Sequence, residues 1–320
     1  GWVQPVYVEE YKCWHKLDIY ENLLGVSDKD YSNLLLAETS DNDFYNLLLH
    51  GVIKDDLVLE QLSKPDDPIY TVIRSCEENC VRQLSGNNSV VALIGSFASG
   101  KTTVLRSIML QLTVEGIDVF SLDHPYDSAF VELQKLCRRE DGFVLVVENY
   151  SRNLEFIEYF CRYARSDCSL IITERTETHE LSLPALNERI RDRNLGVHEL
   201  DMLDNSELKR LSRLLEVRGL WGERAALSED QKLAYLREDC GRQMQSVLLE
   251  LAKSPQVKKR LSQIVFHFES IEGGLRVLIG LCLIQAIGEQ PRIDVASELL
   301  KLNYTSFYKL SRDEVARQIV

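Results

Sequence analysis

The sequence predicts an α/β protein built on a parallel sheet, and three observations predict it. Short, continuously apolar, β-branched runs recur along the middle of the chain, as expected of strands buried on both faces. Segments with helical spacing alternate with them, the signature of a doubly wound sheet. A glycine-rich loop, Gly95-Ser96-Phe97-Ala98-Ser99-Gly100-Lys101-Thr102, joins the first of these strands to the helix that follows.

The elements follow in order. Residues 1 to 65 form an N-terminal linker or partial domain, with a short strand at Val6-Tyr7-Val8 and helical spacing from Asp43 to Leu62 that Gly51 weakens. Lys64-Pro65-Asp66-Asp67-Pro68 is a strong break and marks the boundary of a domain over 66–205. Tyr70 to Leu84 reads as a helix with Val72, Ile73, Cys76, Cys80 and Leu84 on one side. Val90 to Ile94 is the first apolar strand. Thr102 to Glu115 is a helix that Gly116 stops. Ile117–Leu122, Phe143–Val147 and Ser169–Ile172 are further strands, with Val197–Leu200 a fifth, and helices lie over Ala129–Arg139 and Leu154–Arg165. From Ser206 the spacing is helical throughout. Leu208, Leu211, Leu214 and Leu215 repeat on one face, as do Met244, Val247, Leu248 and Leu251, until Pro255 interrupts. One or two helices span Ile264–Ile287, another spans Ile293–Leu302, and a last begins at Ser311, with Glu314 completing a capping pattern.

The loop from Gly95 to Thr102 matches G-x-x-x-x-G-K-[ST], the phosphate-binding P-loop. Glycine lets the backbone turn and approach a phosphate without a Cβ clash. The loop amides and the helix N-terminus aim partial positive charge at the anion, and Thr103 follows in the first helical turn. Lys101 is suited to the β- and γ-phosphates and the Thr102 hydroxyl to Mg²⁺. ATP or ADP with Mg²⁺ is the expected cofactor, although a P-loop reads phosphates and leaves the base open.

Glu148 ends the apolar run Val144-Leu145-Val146-Val147 and is the second candidate. A carboxylate at the end of a buried strand next to the P-loop can hold the metal's water shell; a strand-end surface carboxylate is the alternative. Asn149 stands where many P-loop ATPases carry a second acid that polarises water, which predicts slow hydrolysis or none. Thr173-Glu174-Arg175 ends another strand. Thr173 or Arg175 is placed to sense the γ-phosphate, Arg175 through a charge-assisted contact, against the plainer reading of a salt-bridged surface arginine. His124 reads as a turn residue.

This ordered set resembles the STAND class of NTPases, signal-transducing relatives of AAA+ proteins that include the NACHT and NB-ARC groups. The resemblance spans residues 86 to 320 and rests on Gly95–Thr102, Val144–Asn149, the Thr-x-Arg of Thr173-Glu174-Arg175, and the stretch Val197 to Leu208, which is similar to the strand and acidic turn leading into that family's helical lid. It implies a helical lid over 206–262 and a winged-helix-like module over 263–320. It also implies an ADP-bound resting state, an ATP-bound state that self-associates, and effector and sensor domains outside this sequence, in the manner of the bacterial antiviral members. Cys240-Gly241-Arg242-Gln243-Met244 stands where the family's lid carries Gly-x-Pro, here without the proline. An AAA+-like ATPase acting on DNA or protein is the first alternative and a small-molecule kinase the second.

Composition narrows the partners. The net charge of −13 argues against a nucleic-acid-coating role, although Arg189-Ile190-Arg191-Asp192-Arg193 is a candidate basic patch. No apolar run reaches membrane-spanning length and no leader is visible, so the expectation is a cytoplasmic protein without a membrane partner. Several of the eight cysteines, Cys161 and Cys282 among them, sit in apolar segments and read as core residues of a reducing compartment, and Cys76 and Cys80 lack a histidine at ligand spacing. The chain opens on Gly1-Trp2 without Met, which reads as a fragment of a longer protein.

Overall fold

A computed structural model describes residues 6–8, 12–18, 41–122, 128–190, 193–286, 298, 300, 301, 308–310 and 312. Most residues of the helices expected over 293–302 and 311–320, together with His124, Arg191 and Asp192, lie outside the described residues. The chain divides into two compact units, one of 1–39, 54–217 and 227–246, the other of 40–53, 218–226 and 247–320.

The first unit is built on a seven-stranded sheet. Its strands are β1 (Val6–Val8), β2 (Trp14–Asp18), β3 (Ser89–Ile94), β4 (Asp118–Leu122), β5 (Phe143–Val147), β6 (Ser169–Glu174) and β7 (Asn194–Glu199), in the order β1-β2-β4-β5-β6-β3-β7. The five strands from β4 to β7 run parallel, while β1 and β2 add an antiparallel edge beside β4. The fold is thus the predicted α/β parallel sheet of a P-loop protein. The sheet takes strands from both sides of Lys64–Pro68, so that break is a turn within the unit. Glu132 fixes the N-terminal edge, its carboxylate accepting the amides of Lys12, Cys13 and Trp14 at 3.0, 2.8 and 3.3 Å.

The helices of this unit are α2 (Asp55–Ser63), α3 (Glu77–Leu84), α4 (Lys101–Val114), α5 (Ala129–Leu136), α6 (Leu154–Tyr163), α7 (Thr176–Ile190), α8 (Asn205–Val217) and α9 (Glu229–Glu238). From β3 the chain crosses to β4, three places away in the sheet, then returns through β5 and β6 and steps past β3 to β7. Parallel crossovers are right-handed. The reversal therefore puts α4 on one face and α5, α6 and α7 on the other, where Val90, Ala92, Ile94, Leu145, Leu170 and Ile172 meet Leu133, Phe156, Phe160 and Leu186 in one buried core. Such a reversal opens a crevice at the carboxyl ends of the strands, and here it falls at β3, the strand that leads into the P-loop.

The helix expected over Tyr70–Leu84 begins only at Glu77. Thr71-Val72-Ile73 are β-branched and resist helix. The segment from Thr71 to Arg74 is instead buried without regular secondary structure, held where the Gln61 side-chain oxygen accepts the Ile69 and Tyr70 amides at 2.7 and 3.1 Å. Arg193 does not contribute to the candidate basic patch: it is buried, its guanidinium lying 4.7 Å from the Phe160 ring centroid and donating to the carbonyls of Ala164, Arg165 and Cys168.

The second unit comprises α1 (Asp41–His50), a 3-10 turn over Gly222–Ala226, α10 (Met244–Ala252, which starts in the first unit), α11 (Pro255–Glu269) and α12 (Gly274–Ala286). Gly51, at φ +68°, ends α1, which splits the helical spacing of Asp43–Leu62 into two helices. Ser254 caps α11 and Pro255 occupies its first turn, where a missing amide costs nothing. Phe268, Val277, Leu281, Ile284 and Leu310 form the core of this unit. Cys282 is exposed rather than a core residue. Among the described residues no helix is long and apolar enough to cross a membrane.

Candidate functional site at the P-loop

The P-loop is built as its residue types require. Gly95 accepts no side chain, because a Cβ there would overlap the Ser99 hydroxyl. Gly100 sits at φ +92°, in the left-handed region that glycine enters without strain, and is the N-cap of α4. Ala98 shares that region at φ +60°. The Ser99 hydroxyl is buried without a hydrogen-bond partner among the described residues. A cradle without room for a Cβ, an orphaned hydroxyl and the N-terminus of a fourteen-residue helix suit a phosphate group.

Lys101 is half-buried and folded onto its own loop, donating to the Gly95 carbonyl and, at 2.9 Å, to Ser96 O. Burial lowers its ammonium pKa, and the charge of Arg175 lowers it further. Arg175 lies beside the loop, its guanidinium 5.8 Å from the Phe97 ring centroid. Thr102 is exposed, Thr103 half-buried, and Thr173 buried at the level of Leu93 on the P-loop strand. Ser96, Lys101 and Arg175 are thus brought together at one end of β3 and β6.

Glu148 is exposed, one residue past β5. It is not on the strand next to the P-loop, because β6 lies between β5 and β3. Val147 is level with Ile172, so Glu148 falls level with Thr173, about 10 Å across two strand spacings from β3. The parallel sheet still puts all three strand ends on one edge. Asn149 is at φ +49°, a conformation asparagine tolerates and most residues resist. That backbone demand accounts for its identity.

Four residues near the loop escaped the sequence reading. Asp201, just past β7, accepts the Ser96 amide and hydroxyl, both at 2.6 Å, on one oxygen and the Thr176 hydroxyl at 2.6 Å on the other. Burial raises the pKa of Asp201, but these hydrogen bonds and Lys101 outweigh it and hold the carboxyl below the usual range. Glu174 is buried at the end of β6, its carboxylate accepting the Ser151 and Arg175 amides at 3.1 and 2.9 Å, which fixes the loop after β5. Arg74 is buried and donates to Ser99 O, Leu200 O and Met202 O while its Nε pairs with Glu207 at 3.0 Å. Glu207 closes this frame: it accepts the Ser75 amide at 2.7 Å and forms a reciprocal cap with Asp204 at the start of α8. Glu174 was visible within Thr173-Glu174-Arg175 and Asp201 within the acidic turn. Arg74 had no local signal.

The turn at Cys240-Gly241-Arg242 also meets the exit of β7. Leu203 N donates to Arg242 O at 2.8 Å, and Arg242 Nε donates back to Leu203 O at 2.9 Å.

No family model matches the chain, and no curated protein matches it. Among solved structures it is similar to Saccharomyces cerevisiae Hsp104 in complex with casein, at 15% identity and TM-score 0.40, over 81% of this chain and 46% of that one. It is similar to the Hsp104–ADP complex at 15% identity and TM-score 0.40, over 80% and 47%. The Aeropyrum pernix ORC1 protein in complex with DNA matches at 12% identity and TM-score 0.39, over 83% and 85%. The chain spans about half the length of the Hsp104 chains. Its assignment as a P-loop α/β protein stands on its own strand order and loop.

Proposed function

We propose that this chain is an ATP- and ADP-dependent regulatory switch, the nucleotide-binding part of a larger signalling or defence protein. The observation that carries the proposal is the clasp between Asp201 and Ser96, which ties the first turn of the P-loop to the segment leading into α8. Arg74 spans the same joint from Ser99 to Glu207. Whatever moves the loop therefore acts on the entry to the helical segment, and a ligand with different affinities for two arrangements shifts their balance.

Gly95 to Thr103 would hold the phosphates, with Lys101 exchanging its loop carbonyls for phosphate oxygens. Thr102 and Glu148 would hold Mg²⁺, which neutralises phosphate charge when bound. Arg175 and Thr173 would sense the terminal phosphate from the neighbouring strand. Lys101, Glu148 and Arg175 are the catalytic candidates of a slow hydrolase, since Asn149 offers no carboxylate to activate water. The STAND resemblance supports a lid over 206–262, self-association in the ATP state, and effector and sensor modules elsewhere. An AAA+-like ATPase acting on protein or DNA is the second reading, favoured by nothing in the site's geometry over a switch.

The deciding experiment purifies the wild type and Lys101→Ala, denatures both and identifies released nucleotide by chromatography. ADP or ATP from the wild type and none from the variant supports the switch. No nucleotide in either, with no ATP binding by calorimetry, sinks it. Turnover at the rate of a mechanical ATPase would favour the second reading.

A further inference from the structure

Away from the phosphate loop, the fold brings two cysteines together with a histidine that lies more than a hundred residues further along the chain. Cys76 is the N-cap of α3 and Cys80 lies one turn on, so both point from one face of the helix. His198 comes from β7, paired with Leu93 on β3. One ligand atom from each lies within 4.8 Å of the other two. A zinc ion with sulfur and nitrogen ligands separates them by about 3.5 to 3.8 Å, so about 1 Å of closure completes the set. That α3 lies over β7 is seen independently at Gln83, whose side-chain amide donates to Val90 O on β3 and Asn194 O on β7 and fills the space a Cβ on Gly196 would need.

The surroundings suit a cation held by thiolates. Cys80 is fully buried and Cys76 half-buried. His198 Nε2 is buried with no hydrogen-bond partner among the described residues. A buried ring nitrogen left unpaired costs free energy unless something binds it. The N-terminus of α3 favours negative sulfur.

We propose that Cys76, Cys80 and His198 form a Zn²⁺ site, with solvent in the fourth position, that staples α3 to β7. Two thiolates and an imidazole select a borderline-soft d¹⁰ ion over Mg²⁺ or Ca²⁺. On binding, the ion displaces the thiol protons to solvent. The site adjoins Ser75 and Arg74 on one side and leads through Glu199 to Leu200 on the other, so it would stiffen the frame under the P-loop without touching nucleotide.

The test is a Co²⁺ titration of the chelator-treated, reduced protein. One equivalent of Co²⁺ is expected to give a thiolate-to-metal charge-transfer band with tetrahedral visible bands, both removed by one equivalent of Zn²⁺. Cys76→Ser is expected to weaken binding more than tenfold, and His198→Gln to alter the visible bands and weaken binding similarly. Cys76 and His198 are not fully buried, so these two variants keep the test valid where Cys80→Ser fails to fold; circular dichroism checks each. Excess Zn²⁺ should raise the wild-type melting temperature and leave His198→Gln unmoved. No charge-transfer band at stoichiometric Co²⁺, or the same band in Cys76→Ser and His198→Gln, overturns the proposal. The readout needs no nucleotide, so its failure is separate from failure of the switch.

Discussion

At the scale of single residues, the phosphate loop is closed on itself by side chains that a nucleotide would have to displace or accommodate. Lys101 spends its donors on Gly95 and Ser96 carbonyls, and Asp201 brings a negative charge to the same turn. Asp201→Asn should tighten ATP binding by calorimetry, because it removes a like charge beside the phosphates. It should also lower the unfolding midpoint, because the Ser96 and Thr176 donors all lose a charged acceptor and those on one side face an NH2 group instead, a loss of roughly 1–3 kcal/mol. Weaker ATP binding in this variant would mean that the clasp orders the loop for nucleotide instead. Arg74→Met should be more damaging. It leaves Glu207, 5% exposed at its side chain, without its cation, and breaking a buried pair costs about 3–5 kcal/mol. Urea unfolding measures it, and a loss near zero would show that the Ser75 and Asp204 amides alone satisfy that carboxylate.

At the scale of elements, local chemistry at helix ends sets the joints. The P-loop helix α4 starts where a left-handed Gly100 ends the loop. Helix α8 starts on the Asp204–Glu207 reciprocal cap, and α9 on another, in which Ser228 Oγ accepts the Gln231 amide while Gln231 Oε1 accepts that of Ser228. Ser228→Ala should therefore cost about 1 kcal/mol, read as a small midpoint shift with unchanged urea slope. The Asp204 carboxyl feels burial in the opposite sense, but its Ser206, Ser75 and Glu207 donors pull it down to about 2. A folded value below the ordinary 3.8 gives stability that is present above pH 4 and fades toward pH 2. Asn149 shows the same local logic at the end of β5, where its identity follows from the left-handed turn.

At the scale of the molecule, the strand order reverses at β3, the strand that carries the loop, and such a reversal is where α/β sheets bind ligands. Ligand linkage should be visible there: Mg-ATP at a hundred times its dissociation constant should stabilise the wild type by about 2.7 kcal/mol and Lys101→Ala not at all, measured by thermal shift. Buried Glu77 gives a second global signature. Its desolvation outweighs the hydrogen bonds from Ser107 and the Arg74 amide and raises the carboxyl from 4.5 to about 7. The folded state then holds a proton that the unfolded chain has released. This contribution is complete below pH 4.5 and is lost as pH rises through 7. Glu77→Gln, neutral at every pH, should flatten that decline in urea unfolding between pH 5 and 8; an unchanged slope would place its origin elsewhere. The charge of −13 predicts weak retention on duplex DNA with a shallow salt dependence.

The sequence by itself determined the parallel α/β sheet and the P-loop, whose residue types suit a phosphate. Continuous β-branched runs specify buried strands, and a glycine-rich loop between strand and helix has few other uses; these are local signals. It also showed Thr173-Glu174-Arg175 and Glu148 as strand-end polar groups, because a break from apolar to charged residues marks where a strand leaves the core. Only the tertiary structure decided that β6 separates Glu148 from the P-loop strand, since strand order is not written in any one segment. Only it took Thr71 to Arg74 out of the helix into a buried irregular segment, because the contacts of Arg74 with Ser99, Leu200, Met202 and Glu207 outweigh the helical spacing of its neighbours. Cys76 and Cys80 lacked a histidine in sequence and found His198 across the sheet. Each of these is a contact between residues far apart along the chain, and chain closure, not local propensity, brings such residues together.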